Sequence, residues 1–258
     1  MWDPVKLEHD STAKGIARFR TTRWTVVLIS AQSQTREGRA AFAELYQLYW
    51  YPLYTFARRG GHSPEDAQDL TQSFFLHLLE HRALTHVDRL KGKFRSFLLA
   101  SFQNYLSVDA RRGRRVKRGG NCEFVPLDLE SAESRYRLEP VDYLTAETIF
   151  DARCAMTLLD QAMILLRDEY AAHGKASTFE TLMGFLGSSD STLSYEEAAN
   201  VLGVGVGAVR TLIHRLRKHY TRLLREEVAR TVSESVEVQE EIHALCDALI
   251  AAEGRLGP

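Results

Sequence analysis

The side chains best suited to chemistry lie late in the chain, in SYEEAANVLGVGVGAVRTLIHRLRKHY, residues 194–220. If the chain is helical from about Val206, then Arg210, Thr211, His214, Arg215 and Lys218 share one face, because residues three and four apart sit above one another. Such a set makes and breaks no bonds. It suits nucleic acid: arginine pairs with two acceptors on guanine or clamps a phosphate, and a threonine methyl packs against that of thymine. A second basic island, RRGRRVKR at 111–118, has six basic residues and no acidic one. Residues 198–225 also lack Asp and Glu, although the whole chain holds 33 Lys and Arg against 34 Asp and Glu, a net charge of −1. Screening confines each charge to ~8 Å in the cell, so local sign outweighs the total. Two basic islands therefore predict two phosphate-contacting surfaces. The plainer alternative for residues 194–220 is a helical hairpin whose basic face is only solvated.

Catalytic patterns are missing from the sequence. The nine histidines are spread along the chain, and no G-x-S-x-G, P-loop or dinucleotide fingerprint occurs. GVGVG at 203–207 follows a helical pattern rather than a strand and lacks the Lys-Ser/Thr ending of a phosphate loop. Cys122, Cys154 and Cys246 are far apart and belong to no metal-ligand cluster, which reads as free thiols in a reducing compartment. These features predict no enzyme, no cofactor and no metal. No apolar run approaches the ~18–20 residues that span a bilayer. MWDPVKLEHD lacks the layout of a secretory signal. A cytoplasmic protein without membrane insertion is expected.

The elements that must position the basic faces read as helices throughout. Thr22 could cap a short helix holding Trp24, Val27 and Leu28. Phe42, Leu45, Tyr46, Tyr49, Leu53 and Phe56 recur at helical spacing, with Pro52 inside the pattern and Gly60-Gly61 ending it. Ser63, Pro64, Glu65 and Asp66 signal a helix start, with Leu70, Phe74, Phe75, Leu78 and Leu79 following to about His81. A third helix runs from Phe94 to about Arg112, with Phe97, Leu98, Phe102, Tyr105 and Leu106 inward. Residues 121–145, with acids, Pro126 and Pro140, read as an irregular linker. Thr145 and Glu147 open a long helix to about His173, stopped by Gly174, and another covers about 178–186. Ser194 and Glu197 make a capping box, Gly203 a sharp turn, and Val209, Leu212 or Ile213, Leu216 and Leu223 the inward side of the next helix. That arrangement is a helix-turn-helix, whose second helix can enter a major groove.

The first half of the chain narrows the reading. DAQDLTQSFFLHL, residues 66–78, resembles conserved region two of extracytoplasmic-function (ECF) sigma factors, with Asp66, Ala67, Asp69, Leu70, Gln72 and Phe75 as its framework. FRSFLLASFQNYLSVDARRGRR, residues 94–115, resembles the promoter-melting part that follows, and residues 194–225 resemble region four. The resemblance covers nearly the whole chain, and the long linker and C-terminal extension are similar to those of one subgroup.

The resemblance implies an all-α protein of two helical modules joined by an irregular linker. The expected boundaries are an N-terminal extension 1–35, a region 2-like domain 36–120, a linker 121–145, a region 4-like helix-turn-helix domain 146–230 and a C-terminal extension 231–258. It implies that Asp69 and Gln72 dock on core RNA polymerase, and that Asn104 holds a base flipped from the promoter. Arg111, Arg112, Arg114 and Arg115 would grip the melted backbone. Arg210, Thr211, His214, Arg215 and Lys218 would read the upstream element. Partners implied are core RNA polymerase, promoter DNA and, as a candidate, an anti-sigma factor. For Phe97, Phe102 and Tyr105, helical periodicity favours core packing over base stacking. The rival function is a helix-turn-helix transcription regulator that works without polymerase. Glu226, Glu227, Glu234, Glu237, Glu240 and Glu241 leave two readings open: an acidic tail folded back on a basic face, or a solvated tail in which Ile242, Leu245 and Leu249 pack as a small helix.

Overall fold

The computed structural model describes residues 36–80, 93–112, 129–137, 144–187 and 193–252. The expected helix around Thr22, the arginines at 114 and 115, and Cys122 lie outside them. All regular structure among the described residues is helical, so the protein is all-α.

Helix α1 (Arg36–Arg59) carries the expected stripe, and Leu48, Trp50, Tyr54 and Ala57 are buried as well. A helix apolar nearly all round must be central. Its end is set by Gly61, whose φ of 88° suits a residue without a Cβ. Helix α2 (Pro64–Glu80) starts as the sequence predicts: the Asp66 N–H donates to Ser63 Oγ at 3.1 Å, and Pro64 fills the first helical position. Helix α3 (Phe94–Arg112) buries Phe94, Leu98 and Phe102. Aromatic edges lock these three helices together, with Phe74 5.0 Å from Phe102 and Phe42 5.9 Å from Phe75.

A short helix, α4 (Leu129–Arg137), occupies part of the stretch expected to be irregular. Its stability comes from α1 rather than from local propensity. Glu133 accepts hydrogen bonds from the Tyr54 hydroxyl at 2.7 Å and from Arg58 at 2.9 and 3.0 Å. Arg58 also lies 4.7 Å over the Tyr136 ring.

Helix α5 (Ala146–Ala172) is the spine. Thr145 caps it, accepting from the Thr148 N–H, and Gly174 follows its end with φ 68°. Its 27 residues extend about 40 Å at 1.5 Å each. Phe150 and Cys154, in its first half, complete the core built by α1, α2 and α3. Ala162 and Leu166, in its second half, belong to a separate core with the helix-turn-helix. One rigid element thus serves two hydrophobic clusters.

Helix α6 (Ala176–Leu182) and a 3₁₀ turn (Met183–Phe185) lead to α7 (Tyr195–Leu202) and α8 (Val206–Ala229). After a second 3₁₀ turn (Ser235–Glu237), helix α9 (Val238–Ala252) returns along α5. Leu245, Ala248 and Ala252 pack against Ala152, Ala155, Leu158 and Val228, with Ile242 and Leu249 half-buried beside them. The expected small helix in the extension is present.

Candidate nucleic-acid interface

The geometry of residues 194–220 follows from local rules. Ser194 Oγ accepts from the Glu197 N–H at 3.1 Å, and the Glu197 carboxylate accepts from the Ser194 N–H at 2.7 Å, closing the capping box. The hydrogen bonds from Ser194 hold the Glu197 carboxyl below its ordinary pKa. Gly203 ends α7 with φ 65°, the left-handed conformation a Cβ disfavours. Val209, Ile213, Leu216 and Leu223 then turn inward on α8, and Ile213 rather than Leu212 takes the fully buried place. Leu212 is half-buried against the same core.

That packing leaves Arg210, Thr211, His214, Arg215 and Lys218 exposed on the opposite side. Arg210 rests 5.7 Å from the Tyr195 ring, which orients the guanidinium without neutralising it. The Thr211 hydroxyl donates to the Gly207 carbonyl at 3.1 Å, so its methyl is the group left for a partner. Not every cation of α8 is available. Arg217 donates two hydrogen bonds to the Phe185 carbonyl, at 3.0 and 2.7 Å, and so ties α8 to the turn after α6. Arg222 is held by Glu226 at 2.9 Å and by Glu169 of α5 at 3.4 Å.

In the first module, Asp69 is exposed on α2. Gln72, one turn on, is half-buried, with its amide beside the Tyr46 hydroxyl. Burial pushes Tyr46 up to about 12, opposed in part by Gln72. Asn104 is exposed on α3, while Phe102 beside it is fully buried and belongs to the core. Phe97 and Tyr105 are half-buried against that core, and the Tyr105 ring lies 5.6 Å from Phe74. Arg111 and Arg112 form the last turn of α3, and Arg114 and Arg115 lie beyond the described residues.

The family model for the ECF sigma factor matches residues 29–227, about three quarters of the chain, a span that includes both basic stretches. The chain belongs to the ECF sigma factor family. Comparison with curated proteins and with solved structures finds no match. As an ECF sigma factor it is a DNA-binding protein of transcription initiation. No helix among the described residues is long and apolar enough to cross a membrane.

The structure of this ECF sigma factor also assigns residues that sequence reasoning passed over. Arg95 is 7% exposed and Glu241 0% exposed, and they pair across 146 residues. Arg95 Nε donates to Glu241 Oε1 at 2.6 Å and a terminal nitrogen to Oε2 at 3.2 Å. Asp151 of α5 accepts from the other terminal nitrogen, and Lys93 reaches Glu241 at 3.0 Å. Burial disfavours the Arg95 cation, but the two carboxylates outweigh it and hold its pKa above the ordinary value. A signal existed: Glu241, Leu245, Ala248 and Ala252 recur at intervals of four, three and four, so Glu241 shares the apolar face of α9.

Proposed function

We propose that this sigma factor binds core RNA polymerase through Asp69 and Gln72 on α2, and reads an upstream promoter element through Arg210, Thr211, His214, Arg215 and Lys218 on α8. Asn104 and the arginines at 111, 112, 114 and 115 then hold the opened strand. The division of the chain at about residues 120 and 145 into region 2-like and region 4-like modules belongs to the same reading. An anti-sigma factor is a candidate partner.

The observation that carries the proposal is the one-sidedness of α8. A capped helix and a left-handed glycine set its angle, and an apolar stripe fixes its rotation. Arg210, Arg215 and Lys218 therefore face outward together, as a helix entering a major groove requires. Side chains at that distance from a base edge act by hydrogen bonding and by neutralising phosphate. For α3, an amide such as Asn104 can read the Watson–Crick edge of an unstacked base, and stacking on a half-buried aromatic offsets part of the few kcal/mol that unstacking costs.

The test separates polymerase docking from DNA contact. Binding to purified core polymerase is measured for the native chain and for Asp69→Ala/Gln72→Ala. The native chain binds and the double variant binds at least about tenfold more weakly, a loss of about 1.4 kcal/mol. A native chain that ignores core polymerase yet binds duplex DNA specifically would point to the polymerase-independent regulator.

A further inference from the structure

The outward cations of α8 are not equally prepared for a partner. Arg210 lies near the start of α8 (Val206–Ala229), the stretch that meets base edges when such a helix enters a major groove. Its guanidinium carbon lies 5.7 Å from the centroid of the Tyr195 ring. Arg215 and Lys218, also exposed, have no ring contact, hydrogen bond or ion pair among the described residues. Of these three side chains, Arg210 alone rests on a surface of the protein.

That surface is itself held. Tyr195 is the first residue of α7, directly after the Ser194 cap, so the capping box fixes its backbone. Its ring stacks on that of Phe185, with centroids 5.3 Å apart and planes 23° from parallel. Phe185 is 6% exposed and ends the 3₁₀ turn that follows α6. The Phe185 carbonyl accepts both hydrogen bonds from Arg217. Phe185 is therefore joined to α8 twice, by its backbone through Arg217 and by its ring through Tyr195 and Arg210. Covering Phe185 does not use the whole of Tyr195, whose ring is exposed enough to offer a π face to a cation.

The consequence lies in how arginine reads a base. A guanidinium is a planar fork, and its two donors reach O6 and N7 of one guanine only when that plane is aimed. An exposed arginine gives up rotamer freedom when it docks, and one already resting on a ring has given up part of it in the free protein. A lysine needs no such aim to neutralise a phosphate, and a phosphate contact carries no sequence information.

We propose that Tyr195, backed by Phe185, is a positioning residue for promoter selectivity, aiming the Arg210 fork at one guanine-bearing base pair of the upstream element. Lys218, without such a support, contributes affinity and no base preference. This deepens the reading given under Proposed function and rests on it.

The experiment selects duplexes randomised over the upstream element with the full-length chain bound to core polymerase. The native chain is compared with Arg210→Gln, Tyr195→Leu and Tyr195→Phe. Arg210→Gln identifies the base pair that Arg210 reads, because preference there disappears. Tyr195→Leu should lower discrimination at that same base pair at least about threefold and leave the others within about 1.5-fold, the scale of an exposed cation–π contact. Tyr195→Phe keeps the ring and should match the native profile. Tyr195→Met, which also lacks a ring, serves if the leucine variant fails to fold. Weakening of all sequences together, with no change in preference, means a structural role only and overturns the proposal. Equal loss of discrimination in Tyr195→Phe and Tyr195→Leu also overturns it, since the hydroxyl would then be what matters. A second readout needs no DNA. In the free native chain and in Tyr195→Phe, the Nε–Hε resonance that Arg210→Gln removes should be displaced by the ring, and in Tyr195→Leu it should return to the position of an unsupported arginine. A resonance that Tyr195→Leu does not move overturns the proposal. If the native chain selects no motif, the failure lies in the underlying functional reading, and the resonance still decides whether the ring holds the guanidinium.

Discussion

Lys218 and Arg217 are neighbours on α8 with the same charge, and the structure predicts opposite consequences for removing them. Lys218 is exposed and has no hydrogen-bond or ion-pair partner among the described residues. Arg217 holds the Phe185 carbonyl through two hydrogen bonds. A cation that neutralises one phosphate contributes about 0.9 to the slope of log K against log salt. Lys218→Gln should therefore lower the magnitude of that slope by about 0.9 and weaken binding almost uniformly across upstream sequences. Arg217→Gln should leave the slope within about 0.2 of native, by the same rule. Its effect falls on stability instead. Two charge-assisted hydrogen bonds to a carbonyl are lost at a partly solvated site, so about 1 kcal/mol is expected, below the full 1.5–3 for a charged bond. In a body of this size that is a fall in Tm of about 2–4 °C. The assay is fluorescence anisotropy of a labelled upstream duplex bound by the factor in complex with core polymerase, from 50 to 200 mM salt, beside thermal melts of the free factor. Equal slope changes in the two variants would refute the assignment of α8's faces.

Further perturbations test other parts of the account. Gly203→Ala meets no heavy atom within 4 Å, so its cost is conformational alone, about 1–2 kcal/mol; Gly203→Asn should cost less, and a thermal melt ranks the three. Glu133→Gln should destabilise the protein by about 1–2 kcal/mol at pH 7, since three hydrogen bonds to its carboxylate weaken. Burial raises the Glu133 pKa, but Arg58 and Tyr54 outweigh it and hold the group below its ordinary 4.5. Its stabilisation is therefore complete above about pH 4.5 and lost as pH falls through the lower folded value. The gap between native and Glu133→Gln in urea melts should close in that acid window. Leu216→Ala, at a fully buried position between α8 and its neighbours, should cost about 2–5 kcal/mol and abolish upstream reading through loss of the helix-turn-helix.

What could be read beforehand was what local rules determine. Ser63, Thr145 and Ser194 start helices because a side-chain oxygen satisfies an orphan N–H within three residues. Gly203 turns the chain because the required φ excludes a Cβ without strain. The outward face of α8 follows from a 3.6-residue period. The assembly of the modules was not local. Glu133 sits in an acidic stretch whose helix exists because Tyr54 and Arg58, more than seventy residues earlier, need its carboxylate. Glu241 reads as one acid among many in a tail, and its pairing with Arg95 depends on how α5 brings the two ends together. Among the described residues Glu241 is the tail acid seen on α3, and it meets Arg95 and Lys93 rather than the outward face of α8. Arg95, in turn, lies inside the stretch that resembles the melting segment, where a basic residue suggests DNA before it suggests a buried ion pair.

The most direct trial of the central claim is run-off transcription from a promoter library with purified core polymerase, with and without this chain. The account predicts discrete start sites that appear only with the native chain, share an upstream motif, and fade when Arg210 and Arg215 are both changed to Gln. If the chain yields no dependent transcript with any template, yet binds specific duplexes without polymerase, the chain is a regulator acting alone and the role assigned to α2 and α3 is wrong.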